Sequence, residues 1–134
     1  MSFIKNSNFS ILFFMDKSLL FYFDKFNLDV KKVTEITHLD AISSNVYKLE
    51  LENATLILKI LFNNLKFSRE YFFLDKLKNK FCVPKIADFF NPNMDKKGAI
   101  LMEYIDGDIL NVDEFDDDLA YKMGEFLAKL HLYL

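Results

Sequence analysis

Residues 45–60 read NVYKLELENATLILKI, and their pattern decides the fold. From Val46 to Leu51 the side chains alternate, with Tyr47, Leu49 and Leu51 on one side and Lys48 and Glu50 on the other. That is the period of a half-buried β-strand. Glu52-Asn53 then forms a two-residue turn, where Asn tolerates the left-handed conformation that tight hairpins use. Ala54 to Leu61 is apolar at both parities, which marks an interior strand covered on both faces. Lys59 interrupts that run. A buried ammonium is costly without an acid or an anion beside it. Its stem is also long enough to carry the charge to the sheet edge. The strand by itself leaves both readings open.

The next segment favours the first. Lys66 to Phe81, KFSREYFFLDKLKNKF, places Phe67, Tyr71, Leu74, Leu77 or Lys78, and Phe81 at helical spacing. It is expected to be an amphipathic helix. Glu70 lies three residues after Phe67 and four before Leu74, on or beside the apolar stripe. An inward acid on the helix that follows a strand with an inward lysine makes a natural ion pair. Glu70 could instead pair with Arg69 or Lys66 in solvent, and such exposed pairs contribute little.

Strand, turn, strand ending in lysine, then a helix carrying glutamate resembles the small lobe of a protein-kinase-like fold. The details are most similar to the aminoglycoside phosphotransferase and choline kinase family. The residues that carry the resemblance are Ser43-Ser44-Asn45-Val46-Tyr47-Lys48, Leu58-Lys59-Ile60, Glu70, Val83-Pro84-Lys85-Ile86, Ile100 to Gly107, and the helix ending Leu127-Ala128-Lys129-Leu130-His131. Their order and spacing match over roughly residues 17–134. The resemblance implies an α+β fold: a five-stranded antiparallel sheet with one packed helix, a flanking N-terminal helix, and a C-terminal helix that would start a large lobe. It also implies that Lys59 holds the α- and β-phosphates of ATP and that Glu70 orients the lysine. Ser43, Ser44 and Asn45 take the place of the phosphate-covering loop. Glu103 to Ile105 becomes the hinge, where the backbones of Glu103 and Ile105 would bond the adenine edge.

The remaining sequence fits this frame with some departures. The chain has 134 residues, enough for one ordinary domain, and is 51% hydrophobic and 28% charged. That composition buries a core and argues against disorder. Its 16 phenylalanines, with abundant Lys, Asn and Ile, point to AT-rich coding more than to function. A net charge of −3 gives no electrostatic case for nucleic acid. One cysteine, Cys82, excludes an internal disulfide and suits a reducing cytoplasm. Beside Val83 it reads as a small core residue rather than a nucleophile.

Residues 1–15 lie outside the family pattern. They lack a small-residue cleavage site, and nothing in the chain reaches the length of a membrane span. Met15 as the true start, or an added N-terminal strand, are the readings that remain. Asp16 to Phe26 is expected to be a helix capped by Asp16, with Leu19, Leu20, Phe23 and Phe26 as its stripe. Val30 to Leu39 should be the first strand, and His38 an edge residue rather than a metal ligand. Asp40 to Asn45 contains no glycine, so a tight backbone grip on phosphates does not follow from it, and an ordinary polar turn is the alternative. Lys85 to Phe90 and Ala99 to Ile105 are strands joined by a turn over Asn91 to Gly98.

Residues 106–134 should be an acidic linker and one helix. The Asp106, Asp108, Asp113, Glu114, Asp116, Asp117 and Asp118 cluster lacks calcium-loop spacing, and its last members are expected to cap the helix. That helix, Leu119 to Leu134, has a wide apolar face of Leu119, Met123, Phe126, Leu127, Leu130 and Leu134. No His-x-Asp-x-x-x-x-Asn is expected anywhere in the chain, and no magnesium-holding Asp motif follows the helix. The division expected is an extension at 1–15, a nucleotide-binding lobe at 16–105, and the start of a truncated large lobe at 106–134. Three functions compete. The chain is the ATP-binding part of a phosphotransferase, inactive alone, with magnesium expected only alongside the missing lobe. Or it is a stand-alone module that binds a partner or itself through the sheet or residues 119–134. Or it is an unrelated α+β domain in which Lys59 and Glu70 form a structural pair.

Overall fold

The computed structural model describes residues 17–36, 44–107, 113 and 115–134. Among these, the elements are helix α1 (Lys17–Lys25), strands β1 (Lys32–Ile36), β2 (Ser44–Glu50) and β3 (Thr55–Leu61), helix α2 (Asn64–Leu77), strands β4 (Ile86–Phe90) and β5 (Ala99–Glu103), and helix α3 (Asp117–Tyr133). The strands form one antiparallel sheet in the order β1-β2-β3-β5-β4. The expected α+β, kinase-like small-lobe architecture is therefore present. The readings of residues 1–15, of Asp16 as a cap, of His38 and of Ser43 lie outside the described residues.

The central strand β3 is covered on both faces, as its two apolar parities require. Leu58 and Ile60 pack with Leu49, Ala99 and Leu101 beneath α1, whose Leu19, Tyr22 and Phe23 are buried there. Ile57 and Leu61 pack with Ile100 and Met102 beneath α2, against Phe67, Tyr71 and Leu74. Two helices thus sandwich one sheet. The sequence stripe for α1 omitted Tyr22, which is buried and donates from its hydroxyl to the Lys97 carbonyl at 2.5 Å. Burial also raises its phenol above the ordinary value.

Local chemistry sets the boundaries. Leu51 N–H donates to the Ala54 carbonyl, which closes the β2–β3 turn around Glu52-Asn53. Asn53 itself has no positive φ. The left-handed asparagines are Asn27 (φ 55°) and Asn79 (φ 68°). Asn27 ends α1 in a Schellman motif: Leu28 N–H reaches the Phe23 carbonyl and Asn27 N–H the Asp24 carbonyl. Helix α2 starts earlier and stops earlier than its periodicity suggested. Asn63 caps it by accepting from Lys66 N–H, and the chain leaves the helix at Lys78, ahead of the left-handed Asn79. Phe81 therefore falls beyond the helix.

Strand β5 ends at Glu103, and Ile105 is exposed. Cys82 is exposed as well, which corrects its reading as a core residue: it sits in the turn after α2, away from both cores. The turn before β5 is built on Asn93, whose side chain accepts from the N–H groups of Asp95 and Lys96. Gly98 follows because nothing larger fits. A Cβ there would lie 2.6 Å from Cδ2 of the buried Phe67 ring and 3.0 Å from Pro92. Gly98→Ala should destabilise the lobe by about 1–3 kcal/mol through overpacking. Urea unfolding checks this, and an unchanged midpoint would contradict it.

Helix α3 is capped as expected, with Asp116 accepting from Leu119 N–H and Asp117 and Asp118 in the first turn. It buries no residue. Met123, Phe126 and Leu127 are 44–50% exposed. Its anchorage is along the C-terminal half, where Phe126 and Tyr133 contact the Phe81 ring and the Tyr133 hydroxyl donates to the Lys76 carbonyl at 3.0 Å. No described helix is long and apolar enough to cross a membrane.

Candidate functional site

The α2 face of the sheet carries the charged constellation. Lys59 lies between Ile57 and Leu61 on β3 and shares their face. It is held there because β3 is interior: directly opposite stand Val46 on β2 and Ile100 on β5. Glu70 is one turn from Phe67, the residue that seats α2 on the sheet. The result is a direct ion pair, Lys59 Nζ to Glu70 Oε1 at 2.5 Å. The two side chains retain only 25% and 29% of their exposure. The pair is thus partly desolvated, and removing one partner would leave the other charge poorly solvated. Lys59 does not snorkel to the edge, and Glu70 does not pair with Arg69 or Lys66.

The other expected site residues are divided by the strand register. Ser44 stands opposite Leu61, on the Lys59 face, and is 3% exposed. Asn45 stands opposite Ile60, on the α1 face. It borders a cavity of about 260 Å³ with Ser18, Tyr22 and Lys97, away from the ion pair. Its side chain is not brought together with Lys59. Glu103 ends β5 one residue past Met102, which belongs to the α2 face. Its N–H is engaged by the Lys85 carbonyl at 2.9 Å, so only its carbonyl would be left for a base. Tyr104 to Gly107 continue without regular structure.

Two features escaped the sequence reading. Lys48 alternates with the apolar residues of β2, which by itself marks it as outward. Its partner is Ile57, so that side is the α2 face, and Lys48 and Lys59 project from the same surface. The period-two pattern of β2 separated the faces correctly; it could not say that both are covered. The second corrects the expectation that the chain holds no catalytic-loop string. His38-Leu39-Asp40-Ala41-Ile42-Ser43-Ser44-Asn45 has the spacing His-x-Asp-x-x-x-x-Asn, ahead of Lys59 rather than after the last helix. Its terminal Asn45 faces away from Lys59, so this copy does not provide an asparagine to anything held at that lysine. Among the described residues, no group of three His, Cys, Asp or Glu is placed to hold a metal.

A lysine held by a glutamate, a buried serine hydroxyl on the same face, and the apolar side chains of Val46, Ile57 and Met102 form one surface. The profile of the APH phosphotransferase enzyme family matches residues 35–134. The chain belongs to that family. Among solved structures it is similar to spectinomycin phosphotransferase APH(9)-Ia, crystallised with ADP and spectinomycin, with 15% identity and a TM-score of 0.45. The match covers 68% of this chain and 30% of that one, so the chain spans less than a third of that protein's length. No curated protein matches it in sequence.

Proposed function

We propose that residues 16–105 are the nucleotide-positioning lobe of a small-molecule phosphotransferase that uses ATP, and that residues 106–134 lead into its large lobe. The observation that carries this is the Lys59–Glu70 pair on the face that also holds Ser44, Val46, Ile57 and Met102. A phosphate tail needs a fixed cation, and a strand lysine pinned by a carboxylate has few rotamers left to lose. The apolar side chains of Val46, Ile57 and Met102 suit the faces of a base. Backbone groups of Glu103 and Ile105 would meet its edge, which leaves their side chains free to vary. Ser44, the first residue of β2 and on the Lys59 face, would donate its hydroxyl to phosphate. Ser43 is its companion by sequence only, and Asn45 would act through its backbone.

This chain supplies binding and orientation. Magnesium would neutralise the phosphate charge, and its ligands are expected elsewhere in a family-length protein, as is the group that accepts the acceptor's hydroxyl proton. Incubating the 134-residue chain with ATP, magnesium and an aminoglycoside or choline should give no phosphorylated product. Equilibrium dialysis with labelled ATP should still detect weak saturable binding. Turnover would overturn the assignment of the chemistry to other residues, and the absence of saturable binding would overturn the assignment of the lobe.

The exposed face of α3 favours a second reading for the same chain, in which Met123, Phe126 and Leu127 meet a partner that completes or replaces the large lobe. Sedimentation of the purified chain distinguishes them. A stable dimer supports the module, and non-specific aggregation through the uncovered α3 face supports the lobe.

A further inference from the structure

Lys48 and Lys59 share one face of the sheet but not one environment. Lys59 is neutralised by Glu70. Among the described residues, Lys48 forms no salt bridge. Its ammonium lies over the ring of Tyr104, 4.6 Å from the centroid. Tyr104 opens the segment after β5 and is steadied by its hydroxyl, 3.4 Å from Asp106 Oδ1. Lys48 is half-buried in mid-strand. A cation–π contact engages one side of an ammonium and satisfies none of its three N–H donors with an oxygen or nitrogen acceptor. Such a lysine is poised to donate.

Its register says to which part of a ligand. Along β2 the same-face residues run Ser44, Val46, Lys48. Ser44 marks the end nearest the loop, and Val46 faces Lys59. Lys48 lies two residues further on, about 7 Å along the strand, and touches the segment that follows β5. A nucleotide with its phosphates at Lys59 and its base at Glu103–Ile105 would bring its nucleoside past Lys48. Resting on that reading, we propose that Lys48 is the nucleoside-side donor of the site, giving its N–H groups to ribose hydroxyls or purine ring nitrogens while Lys59 serves the phosphates.

The test is a ligand series on the 134-residue chain. Dissociation constants for adenosine, AMP and ATP are taken from NMR titrations of the wild type, Lys48→Met, Lys48→Arg and Lys59→Met. Adenosine is uncharged, so its affinity reports direct donation rather than the field of a surface cation. Lys48→Met should weaken all three ligands by the same factor, roughly tenfold for the loss of a charged donor. Lys48→Arg should retain most of the adenosine affinity. Lys59→Met should weaken ATP far more than adenosine. An unchanged adenosine affinity in Lys48→Met, or a loss confined to ATP, would overturn the proposal. If ATP binding survives Lys59→Met intact, the nucleotide reading beneath it fails instead. Thermal unfolding of each variant ensures that only folded chains are compared.

Discussion

Phe23→Ala should remove about 3–5 kcal/mol of stability and free α1 from the sheet. Phe23 is fully buried, in a core shared by Leu19, Tyr22, Leu49 and Leu58. Truncation forfeits the transfer free energy of the ring. It also leaves a cavity that two packed neighbours, Tyr22 and Phe26, cannot fill, because each is tied elsewhere. Tyr22 is hydrogen-bonded to Lys97 and packed edge-on against Phe90, while Phe26 stacks on Tyr22. Domains of this size have about 5–15 kcal/mol in total, so the variant should be partly or wholly unfolded near room temperature. Phe72→Ala is the control. Phe72 is 55% exposed on α2, and its loss should move stability by no more than about 0.5 kcal/mol. Urea titrations followed by circular dichroism measure both. Equal effects would mean that α1 does not complete the core.

Lys59→Met should reduce ATP affinity by about 30- to 100-fold, corresponding to roughly 2–3 kcal/mol for charge-assisted bonds to phosphate. Met keeps the length and apolar stem, so the strand retains its packing between Val46 and Ile100. The lost element is the cation. Glu70→Gln should cost less, because the ammonium survives and only its anchor is gone. The two variants also separate the phosphotransferase reading from a purely structural pair. Lys59→Met should lower the unfolding midpoint on either reading, because Glu70 is left partly desolvated without its partner; if the pair served the fold alone, there would be no nucleotide affinity to lose. Calorimetric titration with ATP, alongside thermal melts, reads both quantities.

The strand–turn–strand and the helix after it were legible in the sequence because each imposes its own period. Tyr47, Leu49 and Leu51 alternate, and Phe67, Tyr71 and Leu74 recur at helical spacing. The two apolar parities of β3 announced a strand covered on both sides, and a lysine there demanded an acid, which Glu70 supplied. The register across strands carried the information that local periodicity lacks. It moved Lys48 from solvent to the Lys59 face and Asn45 to the other. Helix ends depended on single side chains. Asn63 and Asn79 bound α2 through a cap and a left-handed turn, whereas the apolar stripe ran on to Phe81. Cys82 shows the same limit: a small residue next to Val83 looked internal, but it follows the turn that carries the chain away from both cores.

The central claim is that the α2 face of the sheet takes a nucleotide between the Lys59–Glu70 pair and the segment after β5. The most direct measurement is an ATP titration of the isotope-labelled chain, followed amide by amide. Binding as proposed would shift Val46, Ile57, Lys59, Glu70, Glu103 and Ile105 together, with one dissociation constant, and leave Leu19 and Phe23 of α1 unmoved. Shifts confined to the α1 side, around Tyr22 and Lys97, or no saturable shift at all, would contradict it.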